Sequence, residues 1–114
     1  MIHYGERLFR TVSTNGAGDV GSNTVFRYEQ RDAILMGTYS GGKVDYGSLV
    51  GKVRKDGTLT FLYHHVTKSG ALRSGKCESR PEILPCGKIR LYETWEWTSG
   101  MGAGGHGTSV IEEI

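Results

Sequence analysis

Little in this sequence could staple, interrupt or anchor a fold. Among 114 residues there are two cysteines, Cys77 and Cys86, and two prolines, Pro81 and Pro85. Two thiols in a chain this short suit a reducing compartment better than a disulfide scaffold, so the reading is cytoplasmic, with one buried thiol and one turn thiol. No apolar run approaches the roughly 18–20 residues of a membrane helix, and the opening segment MIHYGERLFR lacks an apolar signal-peptide core. The net charge of +2 is spread over interspersed residues of both signs, without the basic stripe that nucleic acid would require. Neither nucleic acid nor membrane is therefore expected as a partner. Nowhere does apolar spacing hold a 3.6-residue period through three turns, which excludes a long helix. Cysteine and histidine never fall at metal-ligand spacing, so no metal site and no cofactor are expected.

What the sequence does have is glycine: 18 residues, about twice the usual ~7%. Most stand in short clusters between apolar stretches, as tight turns require. Asn15-Gly16 with Gly18, Arg31-Asp32, Gly41-Gly42, Asp56-Gly57, Ser69-Gly70 and Cys86-Gly87 punctuate the chain. Between them lie predicted strands near 6–13, 22–30, 33–39, 43–53, 58–66, 71–79, 88–98 and 107–114, a rhythm typical of β-barrels and sandwiches. Pro81-Glu82-Ile83-Leu84-Pro85 reads as at most one 3₁₀ turn pinned by its prolines. Gly100-Met101-Gly102-Ala103-Gly104-Gly105 satisfies G-x-G-x-x-G. It leads into another strand rather than opening a helix of a βαβ unit, so it reads as a hairpin loop over one end of the fold.

The strand near 88–98 has the clearest pattern. Ile89, Leu91, Trp95 and Trp97 share one face, and Lys88, Arg90, Tyr92, Thr94 and Glu96 share the other. Segment 43–53 places Gly47, Leu49, Gly51 and Val53 on one side, which suggests strong coiling or room left for bulky neighbours. Every connection is short enough for a hairpin. An eight-strand meander leaves two open edges, and pairing the first strand with the last removes both. The expectation is one all-β domain over residues 1–114, an antiparallel up-and-down barrel of about eight short strands, calycin-like, with an interior sized for side chains or one small ligand.

Glu93 falls on the apolar face of its strand. A carboxylate there must be hydrogen-bonded or shifted toward its neutral acid, so it is either a satisfied structural group or a functional one. His64 and His65 are adjacent, so one turns inward and the other outward; the pattern leaves open which. Arg73, Gly75 and Cys77 share a face, which Cys77 argues is the inner one, making Arg73 a partner for Glu93 or for an acidic ligand. Nothing marks Cys77 as an activated nucleophile.

Phe9-Arg10-Thr11-Val12-Ser13, Thr38-Tyr39-Ser40-Gly41-Gly42, Gly75-Lys76-Cys77-Glu78-Ser79, Pro81-Glu82-Ile83-Leu84-Pro85 and Arg90-Leu91-Tyr92-Glu93-Thr94-Trp95-Glu96-Trp97 resemble, nearly end to end, a family of small bacterial proteins. Many of these carry the label N-acetylglutamate synthase. An acetyltransferase of the familiar acetyl-CoA fold would need mixed α/β structure and a pyrophosphate loop beginning with Arg or Gln. Trp97 and Ser13 stand at the corresponding places before the glycines here. Cys86 replaces the acidic turn residue that the family's segment implies. The resemblance supplies no catalytic residues to transfer.

Three readings follow. In the first, the barrel binds a small, partly apolar molecule, with Phe26, Met36, Leu91, Trp95 and Trp97 as walls and Glu93, Arg73 and His64 as orienting groups. In the second, Glu93 and His64 form the acid–base pair of an isomerase, cyclase or hydrolase. In the third, the domain is a structural module acting through a homo-oligomer interface.

Overall fold

The computed structural model describes residues 2–16, 18–100 and 103–114. Eight strands follow one another: β1 (Arg7–Gly16), β2 (Val25–Arg31), β3 (Ile34–Gly41), β4 (Val44–Val53), β5 (Leu59–Thr67), β6 (Leu72–Ile83), β7 (Ile89–Ser99) and β8 (His106–Glu113). Each pairs antiparallel with its sequence neighbours, and β1 pairs with β8 from Phe9↔Glu113 to Gly16↔Gly107. The sheet is a closed barrel, and closure leaves no free edge.

Three boundaries depart from the turn signals. Asn15 and Gly16 do not make a turn but continue β1, opposite Thr108 and Gly107. The next strand starts at Val25 rather than near residue 22, because Thr24 belongs to the connection: its hydroxyl donates to the Gly41 carbonyl and accepts from Gly21 N–H, both at 3.0 Å. Residues 81–83 are not a 3₁₀ turn but the end of β6, with Pro81 opposite Leu91 and Ile83 opposite Ile89. Pairing with β5 ends at Ser79, so Pro81 stands where only one neighbour is paired and a missing N–H is tolerated. The reversal comes later, at 84–88, closed by Gly87 N–H to the Leu84 carbonyl at 2.8 Å.

The ends of the barrel differ. One is sealed by the N-terminal segment: Tyr4 is fully buried, and its hydroxyl donates to the Gly57 carbonyl at 2.6 Å. Above it Phe9, Tyr28, Leu35, Leu59, Ile89, Leu91 and Ile111, all fully buried, pack the bore. At the other end, where the chain passes from β1 to β2, β3 to β4, β5 to β6 and β7 to β8, the packing changes. There glycine stands opposite an aromatic ring on the neighbouring strand: Gly47 with Tyr39, Gly51 with Phe61, Gly75 with Tyr63, Gly107 with Trp95. A side chain at Gly47, Gly75 or Gly107 would run into its partner's ring, whereas at Gly51 it would meet the Thr60 carbonyl and the Cα and Cβ of Phe61. Of the alternate glycines of segment 43–53, Gly47 thus leaves room for the Tyr39 ring and Gly51 for the close approach of the β5 backbone.

Candidate functional site

The upper bore is not filled. A cavity of about 50 Å³ remains between Phe26, Tyr39, Phe61, Tyr63, Trp95 and Trp97, covered by Gly18, Asp19 and Val20 of the β1–β2 connection. The rings hold one another in place. Phe26 stacks on Tyr39 with centroids 5.2 Å apart, Tyr63 meets Trp97 edge-on at 5.3 Å, and Trp95 tilts against Trp97 at 5.9 Å.

Glu93 lies on the inner face of β7 and lines this cavity. Its cross-strand neighbours are Ser79 on β6 and Ser109 on β8. The Ser79 hydroxyl donates to Glu93 Oε2 over a long 3.4 Å, while Ser109 Oγ accepts the Trp95 indole N–H at 2.9 Å. No cation among the described residues pairs with the carboxyl. Burial pushes its pKa up to about 7, and hydrogen bonds from Ser79 and Cys77 only partly oppose this. Beside it, burial, followed by the charge of Glu93, pushes the Cys77 thiol well up. That keeps Cys77 protonated and unsuited to attack.

The mouth is tied by one carboxylate. Asp19 Oδ2 accepts from Arg73 Nη1 and from His65 Nε2, both at 2.9 Å. His65 Nδ1 is hydrogen-bonded to the Tyr39 hydroxyl at 2.9 Å, and the Arg73 guanidinium lies over the Trp97 ring, 3.7 Å from its centroid. The connection is thus held to β3, β5, β6 and β7 through a single side chain.

Residues 2–114 match the family model described as "Avidin-like protein". The chain belongs to the avidin-like protein family. No curated protein and no solved structure matches it. The avidin-like barrel is calycin-like, as the strand rhythm and edge argument led one to expect.

Within the avidin-like barrel, Phe26, Glu93, Trp95 and Trp97 come together around the cavity. Leu91 is fully buried but belongs to the filled bore beneath and does not line it. Met36 is a correction. Leu35 and Tyr39 are the buried residues of β3, so Met36, one step out of phase, points to the outer face. His64 is another correction: it is exposed on the outside of β5, hydrogen-bonded through Nε2 to the Ser48 hydroxyl at 2.6 Å, and cannot reach Glu93. His65 takes the inward place, in step with Leu59, Phe61 and Tyr63. Arg73 does turn toward the bore, yet it reaches Asp19 rather than Glu93. Asp19 itself was missed, because a polar residue in a glycine-rich connection has no periodicity to reveal it. In the G-x-G-x-x-G stretch, Met101 and Gly102 lie outside the described residues; the remainder joins β7 to β8, with Gly104 N–H donating to the Trp97 carbonyl at 2.8 Å. Among the described residues no three His, Cys, Asp or Glu side chains are grouped to hold a metal ion.

Proposed function

We propose that this avidin-like barrel binds a small, partly apolar molecule in its upper bore. The observation that carries the reading is the cavity itself, an unfilled space between six aromatic side chains with a buried carboxyl in its lining. Interiors otherwise pack to crystal-like density, and a concave apolar site with a few convergent polar groups is the usual form of a ligand pocket. At about 50 Å³, and allowing roughly 10–15 Å³ for each water-sized centre, the cavity takes a head of only a few heavy atoms. A longer ligand would pass out beside Asp19. An acid–base pair of Glu93 with His64 loses its geometry because His64 is outside, and acetyl transfer finds no helix among the described residues to open a pyrophosphate loop.

The test is a ligand panel read by thermal shift and tryptophan emission, with biotin, which the avidin-like family binds, as one comparator. Molecules with a compact polar head are expected to raise the melting temperature by several degrees, since a ligand of the native state alone must stabilise it. They should also perturb the emission of Trp95 and Trp97. A panel that moves neither signal would overturn the reading.

We further propose self-association through the outer face of β4–β6. Tyr46, Val50, Leu62 and Leu72 are all more than half exposed there, and Val50 and Leu62 are cross-strand partners. Light scattering should give a multiple of 12.5 kDa, and Leu62→Lys should return the monomer. A monomer at all concentrations would remove this proposal.

A further inference from the structure

We propose that the cavity selects a small organic cation, an alkylammonium, amidinium or guanidinium head, with Glu93 as its counter-ion and the surrounding rings as its walls. This rests on the binding reading above and specifies its ligand class.

Two carboxyls line the cavity, Asp19 and Glu93. Asp19 already accepts from Arg73 and His65 at 2.9 Å each. Glu93 has only neutral partners, the Ser79 hydroxyl at a long 3.4 Å and the Cys77 thiol, and no cation among the described residues. An ionised carboxylate held this way is costly, and the cost is relieved by either a proton or an opposite charge. The cavity beside it is the place from which such a charge can approach. An anionic head would instead meet both carboxyls.

The walls favour the same sign. Ring faces carry negative potential and attract ammonium or guanidinium groups, most strongly where water is excluded. Here Trp97 already holds the Arg73 guanidinium over its ring at 3.7 Å. Tyr39, Tyr63 and Trp95 bring further rings to the cavity. A cation of four or five heavy atoms matches the available space.

Binding must then be linked to protons. The titratable groups around Glu93 are Cys77 from β6, Tyr28 from β2, Tyr39 from β3, Tyr63 and His65 from β5, and Asp19 from the β1–β2 connection. Burial, their largest influence, drives the Cys77 thiol and the three tyrosines upward, so they stay neutral near neutrality. Glu93 is protonated below about pH 7, where a cation has to displace that proton. Cation affinity should therefore rise about tenfold per pH unit up to that point and level off above it. Glu93→Gln tests the carboxyl alone, because it leaves His65 and Asp19 at the mouth in place.

The experiment titrates the intact protein with acetamidinium, tetramethylammonium, neutral acetamide and acetate. It follows the tryptophan indole N–H resonances between about pH 5 and about pH 8.5. Above neutrality, acetamidinium and tetramethylammonium are expected to bind at least about tenfold more tightly than acetamide, with no binding of acetate. That preference should collapse on acidification and vanish in Glu93→Gln, which still takes acetamide. Equal or tighter binding of acetamide by the wild type, or a cation preference that survives in Glu93→Gln, overturns the cation assignment while leaving the pocket standing. No response to any probe overturns the pocket as well. The wild-type pH profile decides the matter even if Glu93→Gln fails to fold.

Discussion

Asp19→Ala is expected to lower stability by about 3 kcal/mol, measured by chemical denaturation, which is large for a carboxylate in a connecting segment. The size follows from what the change leaves behind. The Arg73 side chain is only 11% exposed and that of His65 only 1%, and the Arg73 Nε already lacks a hydrogen-bond partner among the described residues. Without Asp19 a guanidinium sits beneath the surface with the Trp97 ring as its main compensation. Removing one partner of a buried pair is far more damaging than removing both. Asp19→Ala combined with Arg73→Met should accordingly recover most of the loss, and a double-mutant cycle would show strong coupling. A loss below about 1 kcal/mol, the scale of an exposed pair, would mean that the connection lifts away and lets water reach Arg73. Asp19 would then not hold the connection against the barrel in the ground state.

Glu93→Gln should do the opposite at neutral and alkaline pH, making the protein more stable. The carboxyl has its pKa raised from 4.5 to about 7, so between those values the folded state binds more protons than the unfolded one. Stability contributed by the neutral acid is fully present below about pH 4.5 and is lost progressively as pH rises through about 7. At 1.36 kcal/mol per unit, the wild type loses about 3 kcal/mol across that window. Glutamine keeps the shape and cannot ionise. The two stability curves should therefore coincide in acid and separate until about pH 7, with the variant above. Parallel curves would show that Glu93 is already solvated or paired.

Much of this was legible in the chain. The strand of Ile89, Leu91, Trp95 and Trp97 alternates so cleanly that the inward position of Glu93 follows from parity alone. Closure followed from short connections and the cost of open edges. The failures have equally physical causes. Phe61-Leu62-Tyr63 is apolar on both faces, so the phase of β5, and with it the choice between His64 and His65, could not be read. Leu35-Met36 poses the same ambiguity on β3. Asp19 acts through contacts with residues 46 and 54 positions away, and nothing local announces such a role. Asn15-Gly16 looks like a turn because its composition is that of one, yet pairing with β8 overrides the preference.

The glycines that face Tyr39, Tyr63 and Trp95 have a consequence for how this protein can diverge. Each pair works as a socket and plug, with the whole volume supplied by one side. Exchanging a ring for a smaller side chain opens the bore by nearly the full difference, since a glycine has nothing with which to fill the gap. Enlarging the glycine instead jams the neighbouring strand. The gauge of the bore is thus carried by three separable positions, and a change of ligand size within this architecture would be written there before anywhere in the strand framework.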